Sequence, residues 1–242
     1  MEISLSAIDK SRFGVTTAKS RIRRGDSVVE LIAQARALQA ELLIVRLPTI
    51  DIALAQELER FGAMLADTLI YYEKKQVEEY KVELPTGFRA CLADEGDAEL
   101  VEQAAESAFK GYFGHYHADP HLERHDCDAV YASWARSSCV DQGVANAVVL
   151  VKSGVEVAAF ATLKRLDEAR YEGVLFGVSP KYRNNGLHMA LMRLAQNWGV
   201  ENHAPSFLTS TQINNAPVQK NWCRAGLEPL NSFYTFHIWL RN

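Results

Sequence analysis

At 242 residues, with 48% hydrophobic and 23% charged side chains, the chain has the balance of a globular protein of one large or two small domains. A formal net charge of −4 supplies no positive field, which argues against nucleic acid and an anionic membrane as partners. No apolar run reaches the ~18 residues of a membrane span. The four cysteines, Cys91, Cys127, Cys139 and Cys223, form no C-x-x-C pair, and Met1 to Leu5 lacks the basic and apolar regions of a signal peptide. A reduced, cytoplasmic protein is expected.

Taken in order, Phe13 to Ile22 reads as a strand entered sharply at Phe13-Gly14, and Asp26 as the cap of a helix from Val28 to Leu38. Leu42 to Leu47 reads as a buried strand ended by Pro48. A helix capped at Thr49 or Asp51 runs to Phe61, Gly62 stops it, and Met64 to Tyr72 is the next strand. The charged run Glu73 to Glu83, up to Pro85, is either a linker or a continued strand with a solvated face. It divides the chain into residues 1–84, a small N-terminal α/β unit, and residues 85–242.

The second unit opens with a strand, Phe88 to Leu92, and an amphipathic helix, Asp94 to Phe109. An aromatic, histidine-rich segment from Tyr112 to His125 follows, then a helix from Asp126 to Ser137. Ala145 to Val151 and Val155 to Leu166 form a hairpin turning at Ser153-Gly154. After the strand Glu172 to Val178 and the helix Met189 to Trp198, Ser206 to Thr211 is a strand and Asn215 to Arg224 a helix. Leu227 to Leu240 closes the chain as an aromatic strand or hairpin, open to reading as core or as a homodimer interface. Leu43 to Tyr72 and Phe207 to Tyr234 both run strand, helix, glycine, strand. Asp51 precedes Gly62 by the same eleven residues that separate Asn215 from Gly226.

The chemistry concentrates in Val178-Ser179-Pro180-Lys181-Tyr182-Arg183-Asn184-Asn185-Gly186-Leu187-His188. Pro180 ends a strand, and the amides from Arg183 to His188 lie at a helix N-terminus, where unsatisfied donors and the helix dipole attract anions. Gly186 permits close approach of a bulky anion, and a pyrophosphate suits the site. An ordinary strand-turn-helix connection has the same spacing.

This stretch resembles motif A of the GCN5-related N-acetyltransferases (GNAT), a Q/R-x-x-G-x-G/A turn after a strand ending V-x-P. Arg183, Gly186 and Val178-x-Pro180 match, and His188 departs from the Gly or Ala of the pattern. Asn215, Trp222, Gly226 and Leu227 resemble motif B, with Trp222 where many members carry Tyr. The resemblance implies a GNAT fold, an α/β chain with a mixed α+β sheet. With the internal echo, the N-terminal strand-helix-strand unit would be a degenerate half-GNAT without its own cofactor turn. It also implies acetyl-CoA as co-substrate and no metal. Phe176, Gly177, Val178, Arg183, Asn184, Asn185, Gly186, Leu187, His188, Asn215 and Trp222 would hold the cofactor, its pantetheine inserted between two splayed strands. Direct attack by an amine needs a proton acceptor. Glu172 occupies the position of the family's catalytic Glu, and on a regular strand it shares a face with Val178. Trp222 is no useful acid, so Tyr234 and His188 become substitutes for protonating the thiolate.

In Gly114-His115-Tyr116-His117-Ala118-Asp119-Pro120-His121, His115 and His117 alternate as on a strand. His121 and His125 are spaced as on a helix, with Cys127 nearby. No fixed zinc spacing appears. The preferred reading is an acceptor segment in which Phe13, Tyr112, His115, His117 and Asp119 contact substrate. Phe13-Gly14, Ala108-Phe109, Asp119-Pro120 and Tyr131-x-x-Trp134 resemble the sugar-nucleotide acetyltransferases of the dTDP-fucosamine acetyltransferase type. That resemblance implies N-acetylation of a nucleotide-linked amino-deoxysugar for a surface polysaccharide. Another small amine, a peptide N-terminus, or a non-catalytic acyl-CoA-binding module remain open.

Overall fold

The computed structural model describes residues 1–240. The elements are β1 Glu2–Leu5, α1 Ala7–Phe13, β2 Thr17–Arg21, α2 Val28–Ala37, β3 Leu42–Pro48, α3 Ile52–Arg60, β4 Met64–Lys74 and β5 Phe88–Leu92. They continue with α4 Ala98–Ala108, α5 Arg124–Val140, β6 Ala147–Ser153, β7 Glu156–Arg165, β8 Arg170–Val178, α6 Leu187–Glu201, β9 Ser206–Gln212, α7 Ala216–Arg224 and β10 Glu228–Trp239.

One ten-stranded mixed sheet, β1-β2-β3-β10-β4-β9-β8-β7-β6-β5, runs through the molecule. Only β2/β3 and β8/β9 pair in parallel. The C-terminal strand β10 lies between β3 and β4, so the N-terminal unit takes one of its neighbours from the far end of the chain. The paths β3-α3-β4 and β9-α7-β10 answer each other. Each crosses the other's second strand, and their helices end at Gly62 (φ +79°) and Gly226 (φ +80°).

The near-continuous apolar runs of β6 and β7 follow from burial on both faces. Val149, Val151, Ala159 and Ala161 pack under α6, while Val148, Leu150 and Phe160 pack under α4 and α5. A third core joins α2 and α3 to Leu43, Val45 and Leu47 of β3 and to Phe236 and Ile238 of β10.

Three local expectations change. Phe13-Gly14 is not a strand entry. Ser6 accepts from the Asp9 amide and caps α1, and Gly14 (φ +65°) ends that helix, so β2 begins only at Thr17. The cap of α2 is Ser27, whose hydroxyl accepts from the Glu30 amide, while Asp26 accepts from Arg23. The histidine segment from Tyr112 to His121 is a series of turns, neither strand nor helix, and α5 begins only at Arg124.

Candidate active site

β8 and β9 form a fork. They pair from Arg170/Ser206 to Gly173/Thr209 and then separate. The Thr209 hydroxyl donates to the Gly173 carbonyl at 2.9 Å, closing the base of the fork. Beyond it β8 pairs only with β7. The Ser179 amide donates to Ala158 on the β7 side, so by strand alternation the amides of Phe176 and Val178 face the open side. The Val178 carbonyl is reached by Nε of Arg183 at 3.4 Å.

The turn after β8 ends at α6 with Asn184 at φ +66° and Gly186 at φ +73°. Such left-handed residues turn successive amides towards one concavity. No side chain caps α6 at Gly186, and the amides of its first turn have no intrahelical acceptor. Arg183 donates to carbonyls only, Ala108 at 3.1 Å and Val178, so its charge meets no carboxylate. Asn185 braces the turn through the carbonyls of Tyr182 and Arg183. Leu187 is buried in the core beneath it. Lys181, by contrast, is drawn away to Glu156 at 2.8 Å.

A cavity of about 740 Å³ opens from the fork. Phe176, His188, Asn215 and Trp222 line it on the cofactor side, with Thr209, Ser210 and Thr211 of β9. Asn215 donates to the Thr211 hydroxyl at 3.0 Å. Two buried nitrogens here have no partner, Trp222 Nε1 and His188 Nδ1. Burial lowers the pKa of His188, which holds it neutral. A site with orphaned donors, an uncapped helix start and an unpaired strand edge fits a polar, anion-bearing, extended ligand such as acetyl-CoA.

Glu172 lines the same cavity, but not on the face expected of it. Gly173 pairs with Leu163 and Leu175 with Thr162, so Val174 is an extra residue in β8. The bulge reverses the alternation. Glu172 shares a face with Leu175, towards α4 and α5, whereas Phe176 and Val178 lie on the α6 side. Burial raises the carboxyl's pKa, and the charges of Arg46 and Arg21 partly oppose that rise.

Tyr112 and His115 reach the cavity, together with Phe109, Tyr116, Tyr131 and Trp134. Burial pushes the Tyr112 phenol up to about 12. His115 Nδ1 shares a 2.9 Å hydrogen bond with His237 Nε2, and His237 Nδ1 lies 2.7 Å from Asp119 Oδ2. Burial, then the neighbouring His237, Arg46 and Lys19, hold the His115 pKa well below its usual range. Burial alone would raise that of Asp119. Hydrogen bonds from His237, the His121 amide and Trp239 outweigh it and keep Asp119 ionised.

Several expected contacts lie elsewhere. Asp119 is buried behind His115 and belongs to the support of the wall, not to its lining. His117 is turned to Asp128, with Nε2 at 3.1 Å, and accepts from the Gly114 amide. Phe13 packs on Tyr116, ring centroids 5.1 Å apart. Tyr234 lies on the opposite face of β10, packed beside Phe236 against the α2–α3 core, because strand alternation turns it away from the cavity. It does not line the site and is withdrawn as the acid. Conversely, Arg21, Arg46 and Asp67 line the cavity from β2, β3 and β4 although the sequence did not single them out. The signal was a charged residue inside an otherwise apolar strand, Leu43-Ile44-Val45-Arg46-Leu47.

Similarity to known proteins agrees with this geometry. The Spore coat polysaccharide biosynthesis protein SpsD of Bacillus subtilis is 23% identical over 210 residues, covering 83% of this chain and 68% of that one. Among solved structures, a GCN5-related N-acetyltransferase from Sphaerobacter thermophilus superposes with a TM-score of 0.65 at 13% identity, over 99% of this chain and 76% of that one. A tandem GNAT protein from the clavulanic acid biosynthesis pathway gives 0.64 at 12% identity, over 93% and 75%. The Acetyltransferase (GNAT) family matches residues 101–226, more than half of the chain, across the fork, the turn and α6. The chain therefore belongs to the GNAT family of acetyltransferases, enzymes that use acetyl-CoA.

Proposed function

We propose that the enzyme acetylates the amino group of a nucleotide-linked amino-deoxysugar, with dTDP as the nucleotide. The observation that carries this reading is the cavity, which continues from the fork to β2 and β3 and has room for an acceptor larger than a simple amine. The polysaccharide role in the name of the SpsD relative supports it. In this reading residues 85–242 are the acetyl-CoA unit and residues 1–84 complete the acceptor wall. The reaction is placed in the cytoplasm, in keeping with four unpaired cysteines. Among the described residues no helix is long and apolar enough to cross a membrane.

Acetyl-CoA supplies an activated acetyl thioester. The amides of Asn184 to Leu187 and the Arg183 guanidinium would hold its pyrophosphate, and the backbone groups of Phe176 would take up the pantetheine, leaving the Val178 amide for the thioester. The Val178 amide donates to the thioester oxygen as negative charge grows there. Glu172 accepts a proton from the acceptor's ammonium, directly or through one water, and the neutral amine then attacks the thioester carbon. Its raised pKa suits this step, since the carboxylate then holds a proton more readily than an exposed one. With Tyr234 outside the site, the thiolate departs without a tyrosine acid. Trp222 Nε1 is a donor within the same cavity.

Thiol release with a panel of amines tests the proposal. Turnover with nucleotide amino sugars is expected. Turnover confined to peptides or amino acids would overturn it.

A further inference from the structure

We infer that Arg21 and Arg46 form an anion subsite at the acceptor end of the cavity, and that it takes the diphosphate of the acceptor. This rests on the nucleotide-sugar reading above for its choice of anion, but the subsite itself rests on the geometry of β2 and β3.

The two arginines are register partners on the parallel strands β2 and β3. Partners in adjacent strands point to the same face and lie about 5 Å apart at the backbone. Both line the cavity. Three strands, β10, β4 and β9, separate β3 from β8, yet the charges of Arg46 and Arg21 act on Glu172. The sheet therefore curls around one shared space, with the arginines facing the base across it.

Among the described residues no ion pair neutralises either arginine. Lys19, the nearby lysine, is neutralised by buried Asp9 at 2.6 Å and also donates to the Tyr116 hydroxyl. Arg21 donates to the Tyr71 hydroxyl at 2.9 Å and lies over the Phe233 ring, both neutral partners. Arg46 makes no hydrogen bond or ion pair through its side chain among the described residues. Asp67 and Glu172 feel the charge of Arg46, and Glu172 that of Arg21, but among the described residues no carboxylate of the wall lies within ion-pair distance of either guanidinium. Two guanidinium groups side by side at the cavity wall, Arg21 exposed and Arg46 half-buried, repel each other, and an anion bridging them relieves that repulsion. Planar forks suit phosphate oxygens in bidentate fashion, and a diphosphate offers one phosphoryl group to each. The arrangement holds the anionic part of the acceptor against β2 and β3 and leaves its amine free to reach Glu172.

Calorimetry on the full chain tests this, with saturating CoA present to fill the turn at Asn184–Leu187, and dTDP and inorganic pyrophosphate as probes. Both should bind the wild type. Arg21→Gln and Arg46→Gln should each weaken dTDP at least tenfold, and Arg46→Lys should recover part of the loss. In steady state, KM for a nucleotide amino sugar should rise at least tenfold in each variant while KM for acetyl-CoA holds, which also shows that the variants are folded. Equal probe binding by wild type and variants, or none by either, overturns the subsite. If nucleotide sugars are acetylated and the arginine variants leave their KM unchanged, the subsite falls while the proposed function stands. If dTDP binding depends on the arginines but no nucleotide sugar turns over, the subsite stands and that function falls. If amines bearing a carboxylate are the acceptors and their KM responds instead, the diphosphate assignment is overturned.

Discussion

Glu172→Gln separates the chemistry at Glu172 from its cost to the fold. Burial raises the carboxyl's pKa above its usual 4.5, and Arg46 and Arg21 offset only part of the rise. For activity, the base must be ionised, so the acid limb of kcat/KM should fall at a pH above that of an exposed glutamate. The glutamine variant should lose that limb, together with the 10²–10⁴-fold that a positioned general base contributes, roughly 3–5 kcal/mol of barrier. For stability the sign is opposite. The unfolded carboxyl gives up its proton near 4.5, before the folded one does. Between the two values the unfolded state therefore binds fewer protons, and stability falls as pH rises through that window. At neutral pH the variant should melt higher than the wild type, and the gain should vanish below the unfolded pKa. Acetyl-CoA affinity should hold, since Glu172 lies across the bulge from Phe176 and Val178. Pre-steady-state acetyl transfer, thermal melts from pH 4 to 8 and calorimetry check the three parts. An unchanged acid limb in the variant would remove Glu172 from the base role, and a lower melting temperature at pH 7 would refute the account of its burial.

Gly186→Ala should weaken acetyl-CoA binding without crowding the site. A methyl group there meets nothing within 4 Å, but φ is +73°, which costs an L-residue about 1–2 kcal/mol. Relief of that strain turns the amides of the turn out of register, and an unaltered calorimetric Kd would show that the pyrophosphate sits elsewhere. Trp222→Phe deletes a buried donor that has no protein partner. If it donates to the cofactor, its loss costs about 1 kcal/mol, roughly fivefold in acetyl-CoA affinity. Equal affinity would assign the indole to packing against Tyr72 alone. Asp119→Ala leaves the buried His237 Nδ1 without this acceptor, at about 1–3 kcal/mol. The denaturation midpoint should fall accordingly, and an unchanged midpoint would mean the dyad contributes nothing to the wall.

What the sequence conveyed was local. The alternation and spacing of the chain placed β3 to β10 and the major helices, because each buries its own apolar face. The turn at Arg183 to His188 was legible because a strand stop, a left-handed glycine and a helix start follow one another within a few residues. Three features were not. The bulge at Val174 has no signature in Gly173-Val174-Leu175, since it is set by the pairing of β7, yet it decides which wall Glu172 joins. Tyr234 was read as a spare hydroxyl because nothing local says that β10 lies between β3 and β4, where one residue of offset sends it into another core. The sequence offers the histidine segment as acceptor contacts. Instead His115, His117 and His121 are bound to His237, Asp128 and Asp119, partners distant in sequence for the first and local for the others.

The exchanged strands give the shape of the site a physical cause. β3-α3-β4 and β9-α7-β10 each lend a strand to the other's middle, so the fork that opens beside β9 on one side of the sheet is continued by β4, β10, β3 and β2 on the other. The half that keeps the uncapped helix at Gly186 presents donors to a cofactor. The half that lacks it presents Arg21 and Arg46 in register, and among the described residues neither forms an ion pair with a carboxylate. Strand order thus brings Glu172, Arg21 and Arg46 to one cavity, and in the proposed reading the acceptor's amine lies between the two anion sites. On that proposal, selectivity among amines would reside in the N-terminal strands and not in the family's turn. If the proposed subsite holds, exchanging residues on β2 and β3 should change KM for the acceptor and leave KM for acetyl-CoA unchanged.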